Sequence, residues 1–280
     1  MEALIMEGKY KIQMKMYSYK YLVILSIFWG SLLFSQKIDS SKIECKYLVT
    51  FLIDTANVNT IKKEIASLLI GDNISLFRSN QKQISDSLTM ISVERSMANP
   101  VDGKVLINTS GVASAKFKPE VFFKSGRLMI YDEILNNTYS YENKNALQWL
   151  IEKEYKTIKG YKCRKATCSY NNKRIIAWFT DEIPISEGPY RFKGLPGLVL
   201  EAYDTKEYFH FLLEGLKYTK KPMIPVDNCI ATTYEKFSKK RKEVMDDPVS
   251  AFISIFGKRL TKNDDERIIR NIRSKNNFLD

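Results

Sequence analysis

One histidine, His210, serves all 280 residues, so any Ser-His-Asp or Cys-His device would have to be built on it. No G-x-S-x-G, no H-E-x-x-H and no phosphate-cradling glycine loop is present to support such a device. Cysteine is confined to Cys45, Cys163, Cys168 and Cys229, without CxxC spacing. With histidine so scarce, this pattern does not describe a zinc site, and neither metal nor cofactor is expected. The chain also lacks a repeat period, a low-complexity tract and any recognisable nucleic-acid-binding motif, so nucleic acid is not an expected partner. Beyond residue 36 no stretch is long and apolar enough to cross a bilayer.

What is present begins with residues 17–36, YSYKYLVILSIFWGSLLFSQ, an apolar run preceded by Lys9, Lys11 and Lys15 and containing Lys20. This is a secretory signal pattern, with Ser31, Leu33 and Ser35 forming a cleavage site before Gln36. Residues 1–35 are therefore expected to be a signal peptide, with an uncleaved anchor as the alternative, and Met14 and Met16 are alternative starts. No cysteine closes the apolar core, which argues against a lipid anchor. The expected location is the periplasm or the extracellular space. Loss of residues 1–35 takes away four lysines and two glutamates and leaves a net charge of +10, compatible with acidic ligands or anionic envelope surfaces, or simply with solubility.

Export permits disulfides, and the four cysteines are all candidates. Cys163 and Cys168 lie five apart on one predicted strand and face opposite sides, so each is expected to meet Cys45 or Cys229 instead. Ile43–Ile53 reads as the first strand after the leader, being rich in β-branched and aromatic residues. Thr60–Ile70 has helical spacing, yet Gly71, Asp72 and Asn73 favour a hairpin across Ala66–Arg78. Ser79–Met97 reads as a short helix or a mobile crossing stopped by Asn99 and Pro100. Val105–Ile107, Val121–Phe123, Arg127–Tyr131 and Leu147–Tyr155 are apolar runs, with Ser125 and Gly126 marking a hairpin. Asn171 and Asn172 mark another, because asparagine tolerates positive φ. Tyr208–Glu214 alternates Phe209, Phe211 and Leu213 against Tyr208, His210 and Leu212. Successive hairpins predict a mainly β fold over residues 36–220: a curved antiparallel sheet or half-barrel with covering helices, or else a two-sheet sandwich. Residues 221–280 read as a basic, partly helical extension, with an amphipathic helix from Tyr234 and a charged, frayed tail from Lys258.

The stretch that organises the rest is GPYRFKGLPGLVLEAYD, Gly188–Asp204. Pro196 fixes its own φ and drives Leu195 out of the helical region, while Gly194 and Gly197 tolerate positive φ or close backbone approach. Upstream, Pro184, Gly188 and Pro189 bracket a second loop, so residues 181–197 make one long ordered connection, either packed on itself or in contact with a ligand. The ordered set Gly160, Tyr161, Cys163, Lys165, Ala166, Arg174, Ala177, Trp178, Ile183, Pro184, Ile185, Gly188, Pro189 and Gly194–Val199 resembles the GLPGLI family of exported proteins of Gram-negative bacteria. Valine at 199 stands where that signature ends in isoleucine. The resemblance implies export and a β-rich domain, and such proteins are often encoded near outer-membrane transport components. It implies no activity and no catalytic residues.

Function is accordingly expected to be non-catalytic: a binding or accessory protein whose loop, with Arg174, Trp178, Pro184, Gly188, Pro189, Tyr190, Gly194, Leu195, Pro196 and Gly197, meets an outer-membrane transport component or a small amphipathic or anionic ligand. Trp178, Phe179, Tyr190 and Phe192 would line an apolar cleft beside Arg174, Arg191 and Lys193, unless Trp178 is a core anchor. A hydrolase built on Asp181, Glu182, Glu187 or Glu201 is one alternative, and a structural envelope component the other.

Overall fold

A computed structural model describes residues 38–100, 111–257 and 261–280. The expected leader and the apolar run Val105–Ile107 lie outside the described residues. Residues 39–280 form one compact unit. Its strands are β1 (Ile43–Leu52), β2 (Ile61–Gly71), β3 (Ile74–Ser79), β4 (Glu120–Lys124), β5 (Arg127–Ile134), β6 (Asn137–Asn143), β7 (Leu150–Ile158), β8 (Tyr161–Tyr170), β9 (Lys173–Thr180), β10 (Leu198–Asp204), β11 (Phe209–Tyr218) and the two-residue β12 (Ile230–Ala231). Four α-helices accompany them among the described residues: α1 (Asn80–Ala98), α2 (Tyr234–Asp246), α3 (Pro248–Phe256) and α4 (Lys262–Arg273).

All twelve strands belong to one sheet, ordered β12-β6-β5-β4-β3-β2-β1-β11-β10-β9-β8-β7. Every pairing is antiparallel except β12 with β6. The mainly β expectation holds, with a single curved sheet rather than a sandwich. Turn chemistry sets the hairpins: Asn171 and Asn172 take φ of 44° and 59°, and Ser125 and Gly126 take 51° and 86°, the positive values that two-residue hairpins require. The Ala66–Arg78 region is a hairpin, with β2 running from Ile61. Ser79 caps α1 by accepting from the Lys82 amide.

Period-two alternation puts Tyr47, Val49 and Phe51 of β1, Phe77 of β3, Ile130 of β5, Ala177 and Phe179 of β9, and Phe209, Phe211 and Leu213 of β11 on one face, where they form a continuous core. Edge-to-face rings run through it from Phe51 to Phe117 to Phe77 and Phe211. The opposite face carries a smaller cluster, Leu69, Ile74, Leu76, Phe122 and Tyr131, covered by Met223 of the proline-containing connector.

Helix α2 packs Phe237 against Tyr139 and Tyr141 at ring separations of 5.7 and 5.0 Å and leaves Lys236, Lys239, Lys240 and Lys242 in solvent. The tail corrects an expectation. Residues 274–280 are docked rather than frayed: Asn277 Nδ2 donates to the Leu52 carbonyl at 2.7 Å, Asn276 Oδ1 accepts from the Thr55 amide at 2.8 Å, and Leu279 enters the core. Its amides satisfy strand-end carbonyls, and one apolar pair, Phe278 and Leu279, outweighs the charged residues before it.

Candidate functional site

The connection 181–197 leaves β9 at Thr180, folds on itself and re-enters the sheet at Leu198. The Ile185 and Glu187 amides donate to the Ile183 and Ile185 carbonyls, both at 2.7 Å; Phe192 N donates to Pro189 O at 3.0 Å. Leu198 N reaches Ile183 O at 2.9 Å and Val199 N reaches Glu187 O at 3.0 Å, so the loop is bonded to the strand it feeds. Two glycines make this compactness available. A Cβ on Gly197 would stand 1.9 Å from the Thr180 carbonyl oxygen, and one on Gly188 would stand 2.1 Å from that of Phe192. Both are needed for close backbone approach, whereas Gly194, at φ +95° with open space around it, is needed for its dihedral.

The loop's large side chains point into the concave core. Tyr190, Phe192 and Leu195 are buried, with Tyr190 stacked on Phe211 at 6.4 Å and Phe192 edge-on to the same ring at 5.8 Å. Pro189 is buried as well, while Pro184, Ser186, Gly194 and Pro196 face solvent. The loop is thus a plug whose outer edge carries small or cyclic residues, preceded by the exposed carboxylates Asp181 and Glu182.

Two cationic groups go in with it. The Arg191 side chain is 2% exposed; its guanidinium lies 3.9 Å from the centre of the Tyr170 ring, Nη2 donates to Asn145 O at 3.3 Å, and Nη1 stands 3.8 Å from Asp280. Lys193 Nζ bonds Glu187 at 2.6 Å and sits 3.3 Å from the Phe123 ring centre. Burial pulls the Lys193 ammonium below its ordinary range, against the opposing pull of Glu187.

Arg174 and Trp178 lie elsewhere. Trp178 pairs with Lys165 and Glu201 on the face opposite Ala177 and Phe179; it is buried, its Nε1 is 3.5 Å from Tyr203 Oη, and Lys156 Nζ sits 4.4 Å from its ring centre. Arg174 is exposed on that face, 4.0 Å from Glu152. The expected aromatic cleft is therefore not formed. Trp178 and Phe179 are neighbours on one strand and necessarily face apart, and Tyr190 and Phe192 are consumed by the core.

A bulge decides where Glu201 goes. Register slips between Val199 and Glu201, so Val199 faces the core while Glu201, two residues on, faces the other way. There Glu201 is buried, with His210 Nε2 at 2.8 Å and Lys156 Nζ on its second oxygen. Burial pushes its pKa up, but the hydrogen bonds from His210 and Lys156 outweigh this and hold it below the ordinary carboxylate value. Glu187, bonded to core-facing Ser75 at 3.1 Å, is on the opposite side of the sheet. Glu187 and Glu201 therefore do not face one another across a shared site.

All four cysteines are free thiols, which corrects the expected cross-links. In the sheet order β11, β10 and β9 stand between Cys45 on β1 and Cys163 and Cys168 on β8, and Cys229 rests 3.3 Å from Ser140 Oγ beside β6. Among the described residues no His, Cys, Asp and Glu side chains gather to hold a metal ion, and no helix is long and apolar enough to cross a membrane.

Residues that sequence reasoning missed complete the interior. Asp280 accepts from Tyr141 Oη at 2.5 Å and from Tyr170 Oη, and Arg241 Nη1 donates to its backbone oxygen at 3.1 Å. Arg241 also pairs with Asp132 at 2.7 Å. The signal available was Phe278 and Leu279, an apolar pair at the end of a charged segment.

A family model described as a protein of unknown function (Porph_ging) matches residues 169–201, which hold β9, the plug loop and the bulge. No curated protein matches the chain. Two solved structures of PNGF-II, in space groups P21 and C2, are similar over 71% of this chain, at 15% identity and TM-scores of 0.46 and 0.45. The chain spans about a third of their length, 32%.

Proposed function

We propose that this chain is an exported envelope protein of the GLPGLI family that works by binding, with the outer edge of loop 181–197 docking on an outer-membrane transport component. The observation that carries this reading is the split within the loop. Gly188, Pro189, Tyr190, Leu195 and Gly197 are locked into the core and sheet, while Pro184, Ser186, Gly194 and Pro196 are held outward. An edge already fixed by its own hydrogen bonds loses little conformational freedom when it docks. The basic, apolar pattern of residues 1–35 supports export.

A photo-reactive residue placed at Ser186 or Pro196, with Lys240 on the solvent side of α2 as control, tests the reading in native cells. The expected result is a shared adduct with one outer-membrane protein from both loop positions, absent from Lys240 and lost on Pro184→Asp. Adducts equal at loop and control positions, or a chain retained in the cytoplasm with its leader intact, would overturn it. Gly197 is unsuited to this experiment, because any side chain there meets the Thr180 carbonyl.

A further inference from the structure

At one end of the curved sheet, where β1, β5 and β11 meet the carboxy-terminal helices, a cavity of about 720 Å³ opens to solvent. That volume lies within the range of small-molecule sites, roughly 300–1,000 Å³. Its apolar lining is half-buried Ile53, Leu135, Met245, Ile272 and Phe278, backed by the buried rings of Phe51, Phe117 and Phe209.

The charge around it is one-sided. Two acidic side chains reach the lining, and both are already paired. Asp132 is held by Arg241 at 2.7 Å; Glu133 is held by Lys118 at 3.0 Å and Lys82 at 3.2 Å. Lys62, Lys116 and Lys275 also line the cavity, and none of them has an acidic partner among the described residues. Burial, together with the charges of Lys116 and Lys118, holds the Lys275 ammonium below its ordinary range. Lys116 and Lys118 thus bear on the charge of Lys275, and of these three lysines Lys118 alone has an acidic partner, Glu133, among the described residues.

We propose that this cavity binds a single-chain amphiphile with an anionic head, its apolar chain lying against Leu135, Met245, Ile272 and Phe278 and its head between Lys116 and Lys275. A bound anion would relieve the repulsion on Lys275, and the chain would cover the half-buried apolar side chains of the lining. The site is distinct from the outer edge of loop 181–197 and does not depend on the docking proposed there.

The test is calorimetric titration of the full chain with dodecanoate below its micellar concentration, beside dodecanol, dodecyltrimethylammonium and butyrate. Binding of one dodecanoate per chain is expected, with butyrate weaker by several-fold per methylene removed, since each buried methylene is worth about fourfold. Dodecyltrimethylammonium should bind at least about tenfold more weakly, as should dodecanoate to a Lys116→Glu, Lys275→Glu variant with unchanged melting temperature. Ile272→Trp, which narrows the cavity from α4, should reduce binding of the whole series. No binding of dodecanoate, equal binding of the anionic and cationic amphiphiles, or full binding by the folded charge-reversed variant would overturn the proposal. The head-group comparison on the unaltered chain decides the matter even if the variants fail to fold.

Discussion

Tyr141 and Tyr170 donate to the two oxygens of one carboxylate, that of Asp280, although their strands stand second and eleventh in the sheet order. With strands about 4.8 Å apart, a flat sheet would hold the two tyrosines roughly 40 Å from each other. Their convergence therefore measures how far the sheet has curled around its core, and it makes Asp280 a clasp between the two ends.

That clasp has an energetic consequence. The Arg191 side chain and Asp280 are each 2% exposed, and Arg191 Nε and Nη1 have no direct hydrogen-bond partner. Asp280→Ala should therefore cost about 3 kcal/mol in urea unfolding, since it strands a buried guanidinium. Tyr141→Phe should cost about 1 kcal/mol in the parent and close to nothing in the Asp280→Ala background, where its acceptor is gone. Equal losses in both backgrounds would show that the hydroxyl does not act through Asp280.

The glycines of the plug loop separate two kinds of constraint. Gly197→Ala drives a Cβ into the Thr180 carbonyl oxygen, a backbone collision that no rotamer relieves, so several kcal/mol of destabilisation or loss of soluble protein is expected. Gly194→Ala meets open space and pays only for its positive φ, about 1 kcal/mol. Urea midpoints for the pair should fall in that order, and a reversed order would remove close approach as the reason for Gly197.

Much of this architecture is written locally. Alternation in β1 and β11 and the paired positive-φ residues at Asn171–Asn172 and Ser125–Gly126 specify strands, hairpins and the main core face without reference to distant residues. What sequence could not show depends on partners far along the chain. The side on which Glu201 lies is set by one extra residue, Leu200, in the bulge, and no propensity announces it. Arg191 looks like a loop arginine in solvent until Asp280 and the Tyr170 ring are brought to it. The fate of Trp178 follows from strand parity alone, which separates it from Phe179 and rules out the cleft that composition suggests.

The pH dependence of stability should carry two opposed contributions. Burial raises Asp132 to about 6 despite the Arg241 guanidinium. The native state then holds the proton more tightly than the unfolded chain, and stability from this group rises as pH falls from about 6 toward 4, by ~3 kcal/mol at most. Glu201 behaves oppositely: its pKa is held low, so its contribution is present above the unfolded carboxylate value and is lost as pH falls through the native one. Asp132→Asn should remove the gain between pH 6 and 4, and Glu201→Gln should flatten the loss below pH 4.5. Unfolding free energies measured at several pH values check both signs, and parallel curves for parent and Asp132→Asn would refute the first.

The thiols offer a test of packing that needs no variant to begin with. Burial pushes Cys45 up to about 12 and Cys163 and Cys168 up to about 11, so these three are both shielded and protonated at neutral pH. Cys229 is half-buried against Ser140 and is the one thiol a reagent can approach. Native protein treated with iodoacetamide at pH 8 should take up one label, located at Cys229 by peptide mass, and four after denaturation without reductant. Cys229→Ser should leave the native chain unlabelled. Fewer than four labels in the unreduced, denatured chain would reveal a cross-link, and rapid native labelling at Cys163 would mean that the β8 face opens far more readily than its burial allows.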